Sequence, residues 1–246
     1  MKTLVIIPAY NEDKTIKKVI IEVQEYTRDI LVINDGSIDN TKEILSTLAV
    51  NVINNKQNLG KGISLNLGFK YAIKQKYDSV IILDGDGEHD PKYIPTLIKE
   101  SNFSDIVFTQ RKIFRNKRRF LLNRFATFWF KFFIPELIDI YCGYKLIKVD
   151  LLKKINLYGN TFEIELEIIL EAIKNHAKIK LIDIETKPIN KTHFKFKHYI
   201  KSNNIFDEWI LKNYKNLQIN NFIRIFLLIA AIIGLPIGKI ILRLLR

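Results

Sequence analysis

Ser79-Val80-Ile81-Ile82-Leu83-Asp84-Gly85-Asp86-Gly87-Glu88 is the most informative part of this chain for its architecture. A run of four apolar residues ends at two carboxylates, Asp84 and Asp86, and a glycine follows each of them. A short apolar run bounded by turn residues is typical of a buried strand, and glycine permits a tight turn after it. Paired carboxylates at a strand end predict a site for Mg²⁺ or Mn²⁺ against a diphosphate, with Glu88 as a third oxygen ligand. An acidic surface turn is the structural alternative.

Strands and helices alternate on the N-terminal side of this stretch. Apolar runs predict strands at Leu4–Ile7, Ile30–Ile33 and Val50–Ile53. Apolar residues at helical spacing predict helices between them, over residues 12–26, 39–48 and 62–74. Buried strands that alternate with helices predict an α/β fold, in which a parallel sheet carries helices on both faces. Further along, the pattern predicts a helix over residues 161–175 and a strand over residues 179–184.

Polar side chains follow the predicted strands, at the edge where sheets of this kind bind ligands. Pro8, Tyr10 and Glu12 come after the first strand, and Asp35 comes after the second. Lys61 begins a helix, where a phosphate would meet free backbone amides. A strand stop, a helix cap and a solvated lysine are the structural alternatives for these positions.

The chain carries a net charge of +13, and the excess lies in its second half, where residues 106–135 contain no acid. This charge predicts an anionic partner, which is a nucleic acid, a phosphate-rich ligand or a membrane surface. The segment Lys117–Phe133 interleaves basic and aromatic residues, and Ile225–Gly238 is uncharged over fourteen residues. Together they favour a membrane over a nucleic acid, because nucleic-acid binding needs no apolar tail. The tail, Phe222–Leu245, either inserts as a short helix or lies in the interface.

Cys142 is the single cysteine, so the chain forms no internal disulfide and fits a reducing, cytosolic compartment. We expect Cys142 to be a small buried residue rather than a nucleophile. The four histidines lack the spacing of a metal-ligand set, and zinc is therefore not expected.

Four motifs occur in a fixed order: Pro8–Glu12, Asn34–Thr41, Asn58–Gly62 and Asp84–Pro91. Together they resemble glycosyltransferase family 2, most closely its dolichyl-phosphate mannose synthase-like and polyprenyl-phosphate members, over roughly residues 1–190. The resemblance implies a Rossmann-like GT-A fold and an inverting transfer of a hexose from a GDP- or UDP-linked donor to a polyprenyl phosphate. It also implies a Mg²⁺ or Mn²⁺ ion at the donor.

The resemblance assigns the nucleoside half of the donor to the first two motifs. By it, Pro8, Tyr10 and Glu12 would contact the nucleoside, and Asp35 would contact the base or the ribose. The stretch Phe162–Glu167 resembles the acidic helix start of the family, with a solvated helix face as the alternative for each glutamate.

The remaining matches concern the metal and the reacting groups. By the resemblance, Asp84 and Asp86 would bind the donor and the metal, and Glu88 stands where the family commonly has glutamine. Arg111 matches an arginine of the family, and Asp139 begins an element that resembles Asp-x-x-Ser-Gly-Phe-Arg. The predicted catalytic residues are Asp86, Arg111 and Asp139. In that last element Cys, Tyr and Lys replace Ser, Phe and Arg, so a bidentate arginine contact is lost.

The nature of the acceptor separates two possible reactions. A phosphate monoester has a second pKa of about 6, so a polyprenyl phosphate needs no strong general base at neutral pH. A sugar hydroxyl, in glycolipid or polysaccharide synthesis, would need a base, for which Asp139 is the candidate. Two hypotheses of a different class are a nucleic-acid-binding protein and an inactive nucleotide-sugar binder, and intact Asp84 and Asp86 argue against the latter.

These inferences predict two regions. Residues 1–195 are expected to form the GT-A domain, and residues 196–246 are expected to form juxtamembrane and membrane-anchoring helices at the cytoplasmic face. The expected partners are a nucleotide sugar, a polyprenyl phosphate and a membrane. The sequence leaves the sugar, the nucleotide, the prenyl chain and the oligomeric state open.

Overall fold

The computed structural model describes residues 1–111, 123, 127, 128, 130–187, 196–216, 221 and 223–232. Its strands are β1 (Thr3–Ala9), β2 (Ile30–Asn34), β3 (Asn51–Asn54), β4 (Ser79–Ile82), β5 (Ile106–Arg111), β6 (Lys145–Lys148) and β7 (Ile179–Ile184). In these ranges they form a seven-stranded sheet in the order β3-β2-β1-β4-β6-β5-β7. The predicted strands therefore exist, and the fold is α/β.

One strand departs from the predicted parallel sheet. Strand β6 runs antiparallel to both of its neighbours, β4 and β5, whereas the other pairings are parallel. The predicted parallel sheet thus contains one antiparallel strand, β6, which the sequence did not predict. Its sequence, Lys-Leu-Ile-Lys, has only two apolar residues between lysines, so hydrophobicity alone gives no strand signal. The register places Lys145 beside Ile82, next to the end of β4.

Helices cover both faces of the sheet. They are α1 (Ile16–Gln24), α2 (Thr41–Ser46), α3 (Lys61–Lys74), α4 (Ile94–Glu100), α5 (Val149–Leu152), α6 (Ile164–Lys174) and α7 (Phe196–Asn213). Alternate residues of β1 supply two separate apolar layers, because successive strand side chains point to opposite faces. Leu4 and Ile6 pack in the layer that includes α3 and α6, and Val5 and Ile7 pack in the layer that includes α1 and α4.

The C-terminal region packs on the first of these layers. Helix α7 buries Ile200, Phe206 and Ile210 there, and residues 223–232, which are helical, bury Leu227 and Ala231. The domain boundary after residue 195 stays a prediction. Most of the basic aromatic segment and residues 222 and 233–245 of the tail lie outside the described residues. Within the described ranges, none of the helices has both the length and the apolar character needed to cross a membrane.

The ends of β1, β2 and β4 meet at one edge of the sheet. Ala9 is paired with Asn34, and Ile6 is paired with Ile82. The amide of Leu83 continues this ladder by donating to the carbonyl of Ile6. Three of the polar loops that the sequence singled out are therefore neighbours in space, as the parallel pairing of these strands requires.

The start of α3 is packed directly against the loop before α6. The amide of Gly62 donates to the carbonyl of Asn160 over 2.9 Å. A Cβ at Gly62 would lie 1.9 Å from the carbonyl oxygen of Gly159, a backbone atom that cannot turn aside. Only a glycine at this position lets the helix and the loop approach so closely.

We predict that Gly62→Ala lowers the free energy of unfolding by about 1–3 kcal/mol through overpacking, although alanine is the better helix former. The matched control is Lys70→Ala, at an exposed position of the same helix, where we expect a change within about 0.5 kcal/mol. Urea unfolding followed by circular dichroism measures both variants. A Gly62→Ala protein as stable as the wild type would contradict the close packing described here.

Candidate active site

A chain of four alternating charges crosses the edge where β4 ends. The ammonium of Lys61, at the start of α3, lies 2.6 Å from Oδ1 of Asp84 and 2.7 Å from Oε1 of Glu165. The other carboxylate oxygen of Glu165 forms an ion pair with Lys145 of β6. Four parts of the chain, the start of α3, the loop after β4, α6 and β6, are therefore tied together by ion pairs.

Exposure increases along this ion chain, from Lys145 to Asp84. The side chain of Lys145 is 0% exposed, that of Glu165 is 3%, that of Lys61 is 12% and that of Asp84 is 24%. Gly143 lies against the open end, since a Cβ there would be 2.5 Å from Oδ2 of Asp84 and 2.9 Å from Nζ of Lys61. The ion chain is thus closed at Lys145 and opens to solvent at Asp84.

The two carboxylates of the Asp-Gly-Asp turn have opposite electrostatic environments. Burial alone would raise the pKa of Asp84, but the adjacent Lys61 ammonium lowers it to about 2. The pKa of Asp86 is raised by burial and by the nearby charge of Asp84. Asp84 is therefore already neutralised by a lysine, whereas Asp86 has no Lys or Arg within ion-pair distance in the described part of the chain.

The Asp86 carboxylate is suited to bind a divalent cation. Its oxygens are the hard ligands that Mg²⁺ and Mn²⁺ prefer. Burial and the charge of Asp84 raise its pKa and so disfavour the ionised form, which a cation would stabilise. One of its oxygens accepts the amide of Glu88, which fixes the turn. The described residues contain no group of three or more His, Cys, Asp or Glu side chains arranged to hold a metal ion. The set of Asp84, Asp86 and Glu88 thus stays a prediction.

Arg111, Asp139 and Glu88 form a second buried ion cluster. The Arg111 Nε and Nη2 atoms donate to the two carboxylate oxygens of Asp139 over 2.5 and 3.0 Å. Arg111 Nη1 donates to Oε1 of Glu88 over 3.0 Å. Burial would raise the pKa of Asp139, but the Arg111 guanidinium lowers it. Arg111 and Asp139, which the sequence named separately, thus form a bidentate ion pair that holds the carboxylate in the ionised form. Their catalytic roles stay predictions.

His89 lies between these two clusters. Its Nδ1 atom is 3.9 Å from Oδ2 of Asp84, and its Nε2 atom is 3.8 Å from the sulfur of Cys142. Burial alone would lower the pKa of His89, but the contact with Cys142 and the charges of Asp84 and Glu88 raise it to about 9. These contacts therefore favour the protonated imidazole. Cys142 is buried, as the sequence predicted.

The loops after β1 and β2 are bonded to each other. The amide of Asn11 donates to Ser37, and the amide of Glu12 donates to the hydroxyl of Thr41. Thr15 connects this pair of loops to the Asp84 loop, because its hydroxyl contacts Oε2 of Glu12 and donates to the carbonyl of Gly85. Glu12 is thus held beside the Asp-Gly-Asp turn. Pro8 and Tyr10, on the same segment, are half-buried.

Asp35 organises the turn that precedes Lys61. Its carboxylate is buried and accepts the amides of Leu59 and Gly60, and also the side-chain amide of Asn55. The helix start that follows is likewise occupied, since the amides of Gly62 and Ile63 both donate to the carbonyl of Asn160. An anion at the start of α3 would therefore meet the ammonium group of Lys61 rather than the amides of Gly62 and Ile63. The nucleoside role of Asp35 stays a prediction.

The glutamates at the start of α6 bond to backbone amides and lysines instead of forming a solvated face. Glu167 accepts the amides of Tyr158 and Gly159, and Glu163 accepts the amide of Asn160 and pairs with Lys201 of α7. Glu165 belongs to the ion chain. Glu163 and Glu165 are 1% and 2% exposed, so the solvated alternative is wrong for both.

Residues 4–155 match the family model described as Glycosyl transferase family 2, which covers more than half of the chain. The chain belongs to glycosyltransferase family 2. An uncharacterized protein of Methanocaldococcus jannaschii is 34% identical over 72% of this chain and 84% of its own length. The undecaprenyl-phosphate mannosyltransferase of Micrococcus luteus is 28% identical over 64% of this chain and 70% of its own. The polyprenol monophosphomannose synthase of Mycolicibacterium smegmatis is 30% identical over 67% and 70%.

The fold is also similar to solved structures. Glucosyl-3-phosphoglycerate synthase from Mycobacterium tuberculosis, crystallised with Mn²⁺, uridine diphosphate and phosphoglyceric acid, has a TM-score of 0.68. The alignment covers 86% of this chain and 78% of that chain at 18% identity. The GT-A fold and the family predicted from the four motifs are confirmed.

Several residues of this glycosyltransferase site were missed in the sequence. The sequence did not show how Glu165, Lys145 and Asn160 are used, because each acts through a partner in another part of the chain. His89 follows the Asp-Gly-Asp turn by three residues, but its place against Asp84 depends on how that turn folds. For Glu165 the sequence offered two hints, which are the excess of acids at the start of a largely apolar helix and the resemblance of Phe162–Glu167 to the acidic helix start of the family.

We predict that the pKa values of the two aspartates of the turn are shifted in opposite directions in the metal-free protein. As the pH falls from neutrality, the Asp86 carboxyl should protonate first, and Asp84 should stay ionised well below the ordinary pKa of about 3.9. In Lys61→Met the pKa of Asp84 should rise, because its neutralising charge is gone. Carboxyl ¹³C NMR measures both residues. Protonation of Asp84 before Asp86 in the wild type would contradict the electrostatic model.

Proposed function

We propose that this protein transfers a hexose from a GDP- or UDP-linked donor to a polyprenyl phosphate, with inversion at the sugar. Family membership supports the reaction class, and the names of the mannosyltransferase and mannose synthase relatives support the acceptor. The uridine diphosphate bound to the structural neighbour supports a nucleotide donor.

The observation that carries the choice of acceptor is the state of Asp139. A sugar hydroxyl would need a general base, and Asp139 was the candidate. Both of its oxygens are engaged by Arg111, and one of them also accepts the amide of Tyr141. Its lowered pKa makes it a weak base. The raised pKa of His89 likewise favours its protonated form, which cannot act as a base. A phosphate acceptor supplies its own anionic oxygen and fits this arrangement.

The donor would lie across the loops after β1, β2 and β4. Glu12 and Asp35 are proposed to serve the nucleoside, and Lys61 is proposed to contact the diphosphate. A Mg²⁺ or Mn²⁺ ion held by Asp86 and Asp84 would stabilise negative charge on the leaving diphosphate. Lys61 and Arg111 would lower the repulsion between two anionic substrates, which is the main obstacle when a phosphate attacks a diphosphate-linked sugar.

The acceptor chain requires an apolar surface, and the described C-terminal residues offer one. Ile225, Ile229 and Ile232 are 57%, 51% and 55% exposed. Phe132 packs edge-to-face against both Phe128 and Phe226, with ring centroids 6.0 and 6.3 Å apart. Exposed apolar groups in a contiguous patch are typical of interaction surfaces. We propose that this apolar patch, residues 128, 132, 225, 226, 229 and 232, contacts the cytoplasmic face of a membrane.

We predict that the protein labels polyprenyl phosphate in detergent when it is supplied with Mg²⁺ or Mn²⁺ and a panel of radiolabelled GDP- and UDP-hexoses. Asp86→Asn should lower the turnover about 100-fold or more, because the proposed metal ion at the leaving diphosphate loses a charged ligand. The matched control is Asp150→Asn, whose side chain is 85% exposed. It follows Lys148, which pairs with Ser79 at the end of β4 opposite to Asp84.

The rate should rise with a single ionisation near the acceptor's second pKa of about 6 and then stay level. A free polyprenol should not be labelled. Labelling of a sugar-hydroxyl acceptor in place of polyprenyl phosphate would refute the proposed acceptor, and full activity of Asp86→Asn would refute the proposed site.

We also predict that Phe226→Ser/Ile229→Ser weakens binding to anionic phospholipid vesicles about tenfold or more. Removing two exposed apolar groups should cost at least the roughly 1.4 kcal/mol that a tenfold change represents. The control is Ile21→Ser/Phe103→Ser, at positions 47% and 81% exposed outside the apolar patch. Vesicle sedimentation measures both, and equal partitioning of the two variants would contradict a membrane role for the patch.

A further inference from the structure

Glu165 is a buried carboxylate that the proposed reaction does not use directly. It lies in the first turn of α6 with its side chain 3% exposed. Its two oxygens bind two different lysines, Lys61 at 2.7 Å and the fully buried Lys145. Burial of an ionised carboxylate is costly unless it is paired, and here both oxygens are paired with cations.

The two lysines differ in what lies beyond them. Lys145 is enclosed by the sheet and lies over the ring of Phe108, with its ammonium 5.5 Å from the ring centroid. Lys61 forms a further ion pair with Asp84, the most exposed member of the ion chain. Glu165 thus connects an enclosed cation to the cation that faces the site.

Lys61 needs an anchor if it is to meet a diphosphate. A lysine ammonium is a point charge on a flexible stem, and fixing it costs rotamer entropy. Asp84 alone is an unsuitable anchor, because the proposed metal ion competes with Lys61 for that carboxylate. Glu165, the second carboxylate, holds the Lys61 ammonium whether Asp84 pairs with Lys61 or binds the metal ion.

We infer that Glu165 is a positioning residue, which holds the Lys61 ammonium beside Asp84 in the place where it meets the diphosphate of the donor. This inference rests on the proposed function for the identity of the ligand. Lys145 keeps Glu165 ionised, because it pairs with the carboxylate oxygen that Lys61 does not contact. Gly143 leaves room for the Lys61–Asp84 contact.

The test is a double-mutant cycle read by calorimetric titration of UDP and GDP in the presence of Mg²⁺. Glu165→Gln should weaken binding of the preferred nucleotide about tenfold, and Lys61→Met should weaken it by a similar factor. The double variant should be no weaker than Lys61→Met, because Glu165 acts only through that lysine. A purely structural role for Glu165 would instead make the two losses multiply.

Two further variants secure the interpretation. Glu171→Gln removes another buried carboxylate of α6, one that bonds to Lys174 and to the amide of Asn156, and should bind nucleotide like the wild type. Lys145→Met/Glu165→Gln leaves no unpaired buried lysine, so it replaces Glu165→Gln if that variant does not fold, with the same expected loss.

Nucleotide binding within twofold of the wild type in a folded variant that lacks Glu165 overturns the inference, as do losses that multiply. Failure of the wild type to bind either nucleotide overturns both this inference and the proposed function. Normal nucleotide binding without sugar transfer to polyprenyl phosphate overturns the proposed acceptor alone, and the result of the cycle then still decides the role of Glu165.

Discussion

The ion pair between Lys61 and Asp84, supported from behind by Glu165 and Lys145, is the interaction on which the site depends. It joins the start of α3 to the loop after β4, at the side of the sheet where β1, β2 and β4 end. The surrounding backbone is shaped to allow it: Gly143 leaves room for both side chains, and Asp35 fixes the turn that delivers Lys61. Buried charges of this kind persist only when each has a partner, so the four residues form one unit.

The same principle explains how the site divides its carboxylates. Asp84 and Asp139 are each neutralised by a basic side chain, and the pKa of each is lowered, whereas the pKa of Asp86 is raised by burial and by its neighbour. Of these three carboxylates, Asp86 is therefore the one without a Lys or Arg partner in the described residues. Among the described residues, Asp139, the candidate general base, is therefore held ionised by Arg111 and is a weak base. This fits an acceptor that arrives already ionised.

The sequence predicted the family, the α/β fold and the loops that meet at the sheet edge, because these depend on local patterns: apolar runs, glycine turns and polar strand ends. It predicted the Arg111–Asp139 pair only as separate residues. It missed β6, whose four residues are half lysine, and the roles of Lys145 and Glu165, whose partners are distant in the chain. A charge looks solvated in a sequence until a tertiary partner is known, which is why the acidic start of α6 was ambiguous. The anchoring tail lies largely outside the described residues, and its role remains a proposal.

A crystal structure of the protein with Mn²⁺ and the nucleoside diphosphate that it binds would show directly whether the buried ion chain positions the donor. We expect an anomalous manganese signal beside Asp86, the diphosphate within hydrogen-bond distance of the Lys61 ammonium, and Lys61 still bonded to Glu165. A diphosphate bound away from Lys61, or a Lys61 side chain that has left Glu165 to reach it, would contradict that role of the ion chain.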